Sequence, residues 1–121
     1  MGTGRALKEK DPSIQVCAAE PDHPMHGLEG LKHMATAMVP SIYNPGAVDR
    51  TIPVPTERAY DAVGRLARTE GILAGPSGGA AIWASLELAR EIRRGVIVTV
   101  LPDSGSRYVS TSLLDMAFGG G

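Results

Sequence analysis

Two short turns carry the side chains best suited to chemistry. In Gly75-Pro76-Ser77-Gly78-Gly79 a single hydroxyl is flanked by residues that force a tight turn and let backbone approach closely. At the start of a helix such a serine either caps the free N–H groups or offers its hydroxyl to a ligand, and the five residues leave both readings open. They also fit the Gly-x-Ser-x-Gly turn of α/β-hydrolases, in which an acid and then a histidine follow the nucleophilic serine. His23, His26 and His33 all precede Ser77, so that order fails. In the second turn, Leu101-Pro102-Asp103-Ser104-Gly105-Ser106-Arg107-Tyr108, Asp103 and Ser104 suit either a capped turn or a polar ligand.

Two further segments compete for a functional role. Cys17, His23, His26 and His33 supply the thiolate and imidazole groups that bind zinc. Their spacing lacks the compact pairs of structural zinc sites, and a cysteine inside an apolar run behaves as a small hydrophobe, so loop histidines and no metal are expected. The stretch Gly27-Leu28-Glu29-Gly30-Leu31-Lys32-His33 has glycines that admit close approach of backbone to a ligand. A plain surface loop fits it equally well.

These turns need elements to position them. Residues 14–19, 51–54, 71–74 and 96–101 are β-like, and the last run, Val-Ile-Val-Thr-Val-Leu, has the unbroken apolar character of a central strand buried on both faces. Helical periodicity predicts a helix over 56–70, with Ala59, Val63, Leu66 and Ala67 on one stripe, Thr56 as cap and Gly71 as stop. A second helix is predicted over 77–94 with Ser77 at its N-cap and Ile82, Leu86 and Ala89 facing inward, and a short one over 5–9. The alternation implies an α/β fold, a three-layer open and mostly parallel sheet with helices on both faces. Its strand-to-helix turns, those of Ser77 and Asp103 among them, then share one ligand edge.

Composition narrows the partners. At 121 residues the chain has room for one domain, and with 43% apolar but only 4% aromatic residues its core must be built from Ala, Val, Ile and Leu. Twelve basic and thirteen acidic residues leave a net charge of −1 with no basic cluster, which removes the footprint of a nucleic-acid binder. The single cysteine has no internal disulfide partner, and no apolar run is long enough for a signal peptide or a membrane span. A cytoplasmic setting is expected.

Taken in order, the segments resemble the fold type II pyridoxal-phosphate enzymes of the cysteine synthase and cystathionine β-synthase family. Gly2-Thr3-Gly4-Arg5-Ala6-Leu7-Lys8-Glu9-Lys10-Asp11-Pro12 is similar to the helix after that family's phosphate loop. Ala19-Glu20-Pro21, the loop 27–39, Glu70-Gly71-Ile72-Leu73-Ala74-Gly75-Pro76-Ser77-Gly78-Gly79-Ala80, and Pro102-Asp103-Ser104-Gly105 with Arg107-Tyr108 resemble its later blocks. The likeness covers essentially the whole chain.

It implies pyridoxal 5'-phosphate as cofactor, with Ser77 hydrogen-bonded to the pyridine nitrogen, Gly2 ending the phosphate loop, Gly30 in a segment beside the cofactor and Asp103 in the block that follows. A neutral hydroxyl leaves the ring nitrogen unprotonated, which implies β-elimination and β-replacement, the making of cysteine from O-acetylserine or O-phosphoserine and a sulfur donor. Lys32, His33 and Met34 depart from the small residues common in such enzymes and leave both substrates open. No catalytic residue is assigned: none of Lys8, Lys10 and Lys32 matches the family's cofactor-bearing lysine. Residues 1–121 are thus expected to form one partial domain, the C-terminal large-domain portion of such an enzyme, inactive alone and homo-oligomeric, whose parent takes small amino-acid substrates. The alternative is a non-catalytic binding or interaction domain that keeps the fold.

Overall fold

In a computed structural model, which describes residues 1–28, 31–35, 38 and 40–108, two parallel strands form the sheet. β1 (Cys17–Pro21) pairs with β2 (Arg50–Val54), Cys17 opposite Arg50 and Pro21 opposite Val54. Their alignment is fixed at the N-terminal ends by Asp49. Its carboxylate accepts from the Val16 N–H at 2.7 Å and from Lys8 Nζ at 2.8 Å, while its own N–H donates to the Val16 carbonyl at 2.8 Å. Lys8 lies on α1 (Gly2–Lys10), so one carboxylate ties helix and both strands together. At the other end the Asp22 N–H continues the pairing by donating to the Val54 carbonyl at 3.0 Å.

The helix α2 (Thr56–Glu70) ends as its sequence predicts, with Gly71 in the left-handed region at φ 68°. Its start differs. Pro55 occupies the N-cap, and the Thr56 hydroxyl turns to Gly27 instead of capping. The next helix, α3 (Pro76–Glu91), begins one residue before the predicted start and ends three before the predicted stop. Gly75 is its N-cap and Pro76 its first residue, because a φ already fixed near the helical value suits that position. Ser77 therefore sits in the first turn rather than at the cap.

Helices α2 and α3 meet over small residues. A Cβ at Gly79 would lie 2.2 Å from the Ala59 carbonyl oxygen and 2.6 Å from Val63 Cγ2, so the two backbones touch where Gly79 has no side chain. The buried stripe of α3 is Ala80 and Ala84, with Trp83 and Leu88 packed beside it, rather than Ile82, Leu86 and Ala89. Ile82 and Leu86 are half-buried and Ala89 is exposed, since the face that meets α2 and the sheet is the face of smallest residues. Leu28, Ile52, Val54, Ala59, Tyr60 and Val63 complete the core. Arg50, at the start of β2, grips both carboxylate oxygens of Glu91 at the end of α3, with Nη2 to Oε1 at 2.8 Å.

The α/β class expected from the sequence is what forms, but two predicted strands do not. Of residues 71–74 only Ala74 pairs, in an isolated antiparallel bridge to Ser104. Residues 96–101 form no strand, and Val96, Val98 and Val100 are 90%, 85% and 75% exposed rather than buried. A strand is satisfied only by ladder partners: Ile97, Val98 and Thr99 line one cavity with Cys17, Ala18 and Ala19, yet among the described residues β1 is bonded only to β2 and this run joins no ladder. Among the described residues no helix is long and apolar enough to cross a membrane.

Gly79→Ala should destabilise the fold by about 1–3 kcal/mol or more, since the obstacle is a carbonyl that cannot swing aside and the clash outweighs the gain in helix propensity. Chemical denaturation measures it; an unchanged midpoint would contradict the packing. The acid limb of stability has its source in two paired carboxylates. Lys8, then the Val16 N–H, holds the Asp49 carboxyl below the usual carboxylate range, and Arg50 does the same for Glu91. A depressed folded pKa stabilises above the ordinary carboxylate range and is lost as pH falls through the lowered folded value. Melting temperatures should therefore fall less steeply below about pH 4 in Asp49→Asn than in the parent chain.

Candidate functional site

The N-terminal turn of α3 and the turn after residue 101 lie side by side. The Gly105 N–H donates to the Leu73 carbonyl at 2.9 Å, Ala74 bridges to Ser104, and a Cβ on Gly78 would stand 3.2 Å from Leu101. Gly105 is as tightly placed, since a Cβ there would lie 2.7 Å from the Ala74 carbonyl oxygen. The segments of Ser77 and Asp103 are thereby brought together. Within the second turn the Ser104 hydroxyl accepts from the Ser106 N–H at 3.3 Å, which braces the backbone next to Asp103.

Ser77 is half-buried in the first turn of α3. No side chain caps this helix, and the Ser77 hydroxyl makes no hydrogen bond among the described residues. Capping is therefore not its task. Nor does it form a nucleophile elbow, which needs a strained serine between strand and helix: Ser77 is helical, and no non-glycine residue among those described has positive φ. What remains is a neutral, unspent hydroxyl that can donate to one acceptor, such as a heteroaromatic nitrogen.

The other sequence-derived candidates are dispersed. Gly2 stands in the first turn of α1 with nothing within 4 Å of where a Cβ would be, so no packing contact demands a glycine there. Gly30 lies outside the described residues. His23 Nδ1 accepts from the Met25 N–H and His26 Nδ1 from the Leu28 N–H, both at 3.1 Å, so these histidines close turns two residues ahead of themselves. Cys17 is half-buried in β1, and among the described residues no three potential metal ligands converge. Lys8 is held by Asp49, Lys10 ends α1, and Lys32 is exposed.

The Thr56 hydroxyl accepts from the Gly27 N–H at 3.3 Å and the Tyr60 hydroxyl donates to the Gly27 carbonyl at 3.1 Å. Two side chains one turn apart on α2 thus hold both polar backbone groups of a residue far earlier in the chain. The four-residue spacing of Thr56 and Tyr60 is the one sequence signal of a shared face.

The α/β framework sets a helix N-terminus beside a second glycine-containing turn, the kind of place where open α/β sheets hold ligands. The chain belongs to the pyridoxal-phosphate dependent enzyme family, which matches residues 1–103. It is 49% identical over 117 residues to the cysteine synthase of Aquifex aeolicus, a match covering 93% of this chain and 36% of that protein. With cysteine synthase B of Pseudomonas aeruginosa it shares 38% identity over 117 residues, or 95% of this chain and 38% of that one. The chain thus spans little more than a third of the curated relatives it matches. Among solved structures, O-acetyl serine sulfhydrylase isoform 3 from Entamoeba histolytica superposes with a TM-score of 0.84 at 34% identity, over 93% of this chain and 36% of that one. An O-ureido-L-serine synthase gives 0.86 at 32% identity, over 94% and 38%.

Proposed function

We propose that the protein carrying these residues is a pyridoxal-phosphate-dependent β-replacement enzyme that makes cysteine from O-acetylserine or O-phosphoserine and a sulfur donor. Residues 1–121 would be one partial domain of it, from the C-terminal part of its large domain. The observation that carries this reading is the unspent hydroxyl of Ser77, half-buried where α3 begins and beside the Asp103 turn. The donor set fits the group, because a neutral hydroxyl can donate to a pyridine nitrogen without giving it a proton. Ser77 would hold that end of the ring, Gly2 would lie toward the phosphate, and Gly30 and Asp103 would flank the cofactor. Bound there, the cofactor would supply the electron sink for exchanging the substituent at the β-carbon of an amino acid. Ser77 would donate to the ring nitrogen without protonating it, which would favour β-exchange over other amino-acid chemistry.

The name of one solved structural relative, an O-acetyl serine sulfhydrylase, favours an O-substituted serine as the first substrate. A homo-oligomer in the cytoplasm is the proposed state. The edge of β1 left unbonded among the described residues and the exposed Val96, Val98 and Val100 support self-association, which light scattering of the 121-residue chain should detect as a dimer or larger species. A monomer at high concentration would count against it.

The deciding assay follows cysteine formation from each O-substituted serine by a full-length protein containing this segment. Ser77→Ala should lower kcat about two- to tenfold, the scale of one hydrogen bond, with little loss of bound cofactor. Ser77→Asp should place a carboxylate at the ring nitrogen, favour its protonation and divert the reaction. The 121-residue chain alone should make no cysteine. Parental turnover in both variants would remove Ser77 from the site, and a full-length protein inert toward both serines would overturn the proposed reaction.

A further inference from the structure

We propose that Thr56 and Tyr60 are positioning residues: by holding both polar backbone groups of Gly27 they fix the course of the chain that leaves β1, and with it the stance of Lys32, His33 and Met34. The link to catalysis rests on the function proposed above; the clasp rests on geometry alone. Thr56 opens α2 and Tyr60 follows one turn later, so their side chains share a face. Gly27 lies 29 residues before Thr56 and 33 before Tyr60, yet its N–H donates to the one at 3.3 Å and its carbonyl accepts from the other at 3.1 Å. Tyr60 is only 7% exposed, so a packed ring aims its hydroxyl. Gly27 also sits close, since a Cβ there would lie 3.2 Å from Thr56 Cγ2.

The residues that follow extend the hold. Leu28 is 1% exposed and packs in the core cluster with Val54 and Val63, and Leu31 packs against that same cluster. The Leu31 N–H donates to the Leu28 carbonyl at 3.3 Å, closing a turn between the two anchors. Lys32 is the first exposed residue beyond them. The side chains at 32–34 are thus presented from a root fixed at residues 27, 28 and 31, and the helix that fixes it starts where β2 ends. No side chain caps α2, and the hydroxyl nearest its start serves Gly27. A hydroxyl kept only for the stability of α2 would bond within α2. This arrangement couples the end of β2 to residues 32–34, in the segment that the resemblance places beside the cofactor, which on the function proposed above makes Thr56 and Tyr60 determinants of how the amino-acid substrate is seated.

Amide exchange, read residue by residue by NMR on the 121-residue chain, tests the clasp without any activity. Tyr60→Phe keeps the ring and removes the hydroxyl; Thr56→Val keeps the shape, and Thr56→Ser keeps the hydroxyl. In the first two, exchange at Gly27 and Leu31 should rise roughly tenfold, the scale of one lost hydrogen bond, while Val63 and Leu66 in the middle of α2 change by less than about twofold. Thr56→Ser should stay near the parent. A parallel rise at Val63 and Leu66 would mean general stability only, and no rise at Gly27 would mean no clasp; either overturns the proposal. In a full-length protein, Tyr60→Phe should raise KM for the O-substituted serine roughly tenfold, with kcat and the absorbance of bound cofactor nearly unchanged. Unaltered KM would overturn the positioning role even where exchange moves. If the unsubstituted protein performs no β-replacement, the proposed reaction fails instead, and exchange alone decides the clasp.

Discussion

The contact of Gly79 with the Ala59 carbonyl is the constraint on which the rest of the arrangement depends. Removing one Cβ lets α2 and α3 approach until backbone meets side chain and backbone, closer than larger residues would allow. With α3 pinned at its first turn, Gly78 can abut Leu101, and the turn that follows is drawn back to Leu73 and Ala74. The stance of Ser77 is a by-product of that packing. The scarcity of aromatic residues suits the same geometry: a core of Ala80, Ala84, Ala59 and Val63 leaves thin walls between helices and sheet.

The glycine-containing turn therefore carries two kinds of information. Gly78 and Gly79 look like the permissive residues of a ligand loop, yet their immediate neighbours are Ala74, Leu101, Ala59 and Val63, which makes them packing glycines. Only the Ser77 hydroxyl is left over for chemistry. Likeness in such a motif reports how two helices meet as much as what they bind, and enzymes acting on different second substrates can share it.

The parts of the fold legible in the sequence were those decided locally. The stop of α2 at Gly71 follows from one backbone preference, and its stripe of Ala59, Val63 and Leu66 from helical period. Residues 96–101 are not legible in this way, because an apolar run records what a segment would bury, while burial requires ladder partners that periodicity does not see. The preference of serine for caps points to Ser77 at the cap, but Pro76 before it already claims the first helical position. For the candidate site, the order of turns was legible, and with it the pairing of the Ser77 and Asp103 segments. The grip on Gly27 was not, because it joins residues about thirty apart through side chains whose individual preferences point elsewhere.

Asp49 has a consequence for how such chains diverge. Its bonds to Val16 and Lys8 seal the neck of a long excursion, residues 22–48, before β2 begins. Once a neck is sealed, the entropy of closing it grows only with the logarithm of the length enclosed, about 0.6 kcal/mol for each doubling. Insertions, deletions and exchanges within the excursion are then thermodynamically cheap, provided its root and neck are kept. Descendants of one scaffold can remodel that stretch, and so explore new ligand preferences, with the sheet beneath it left in register.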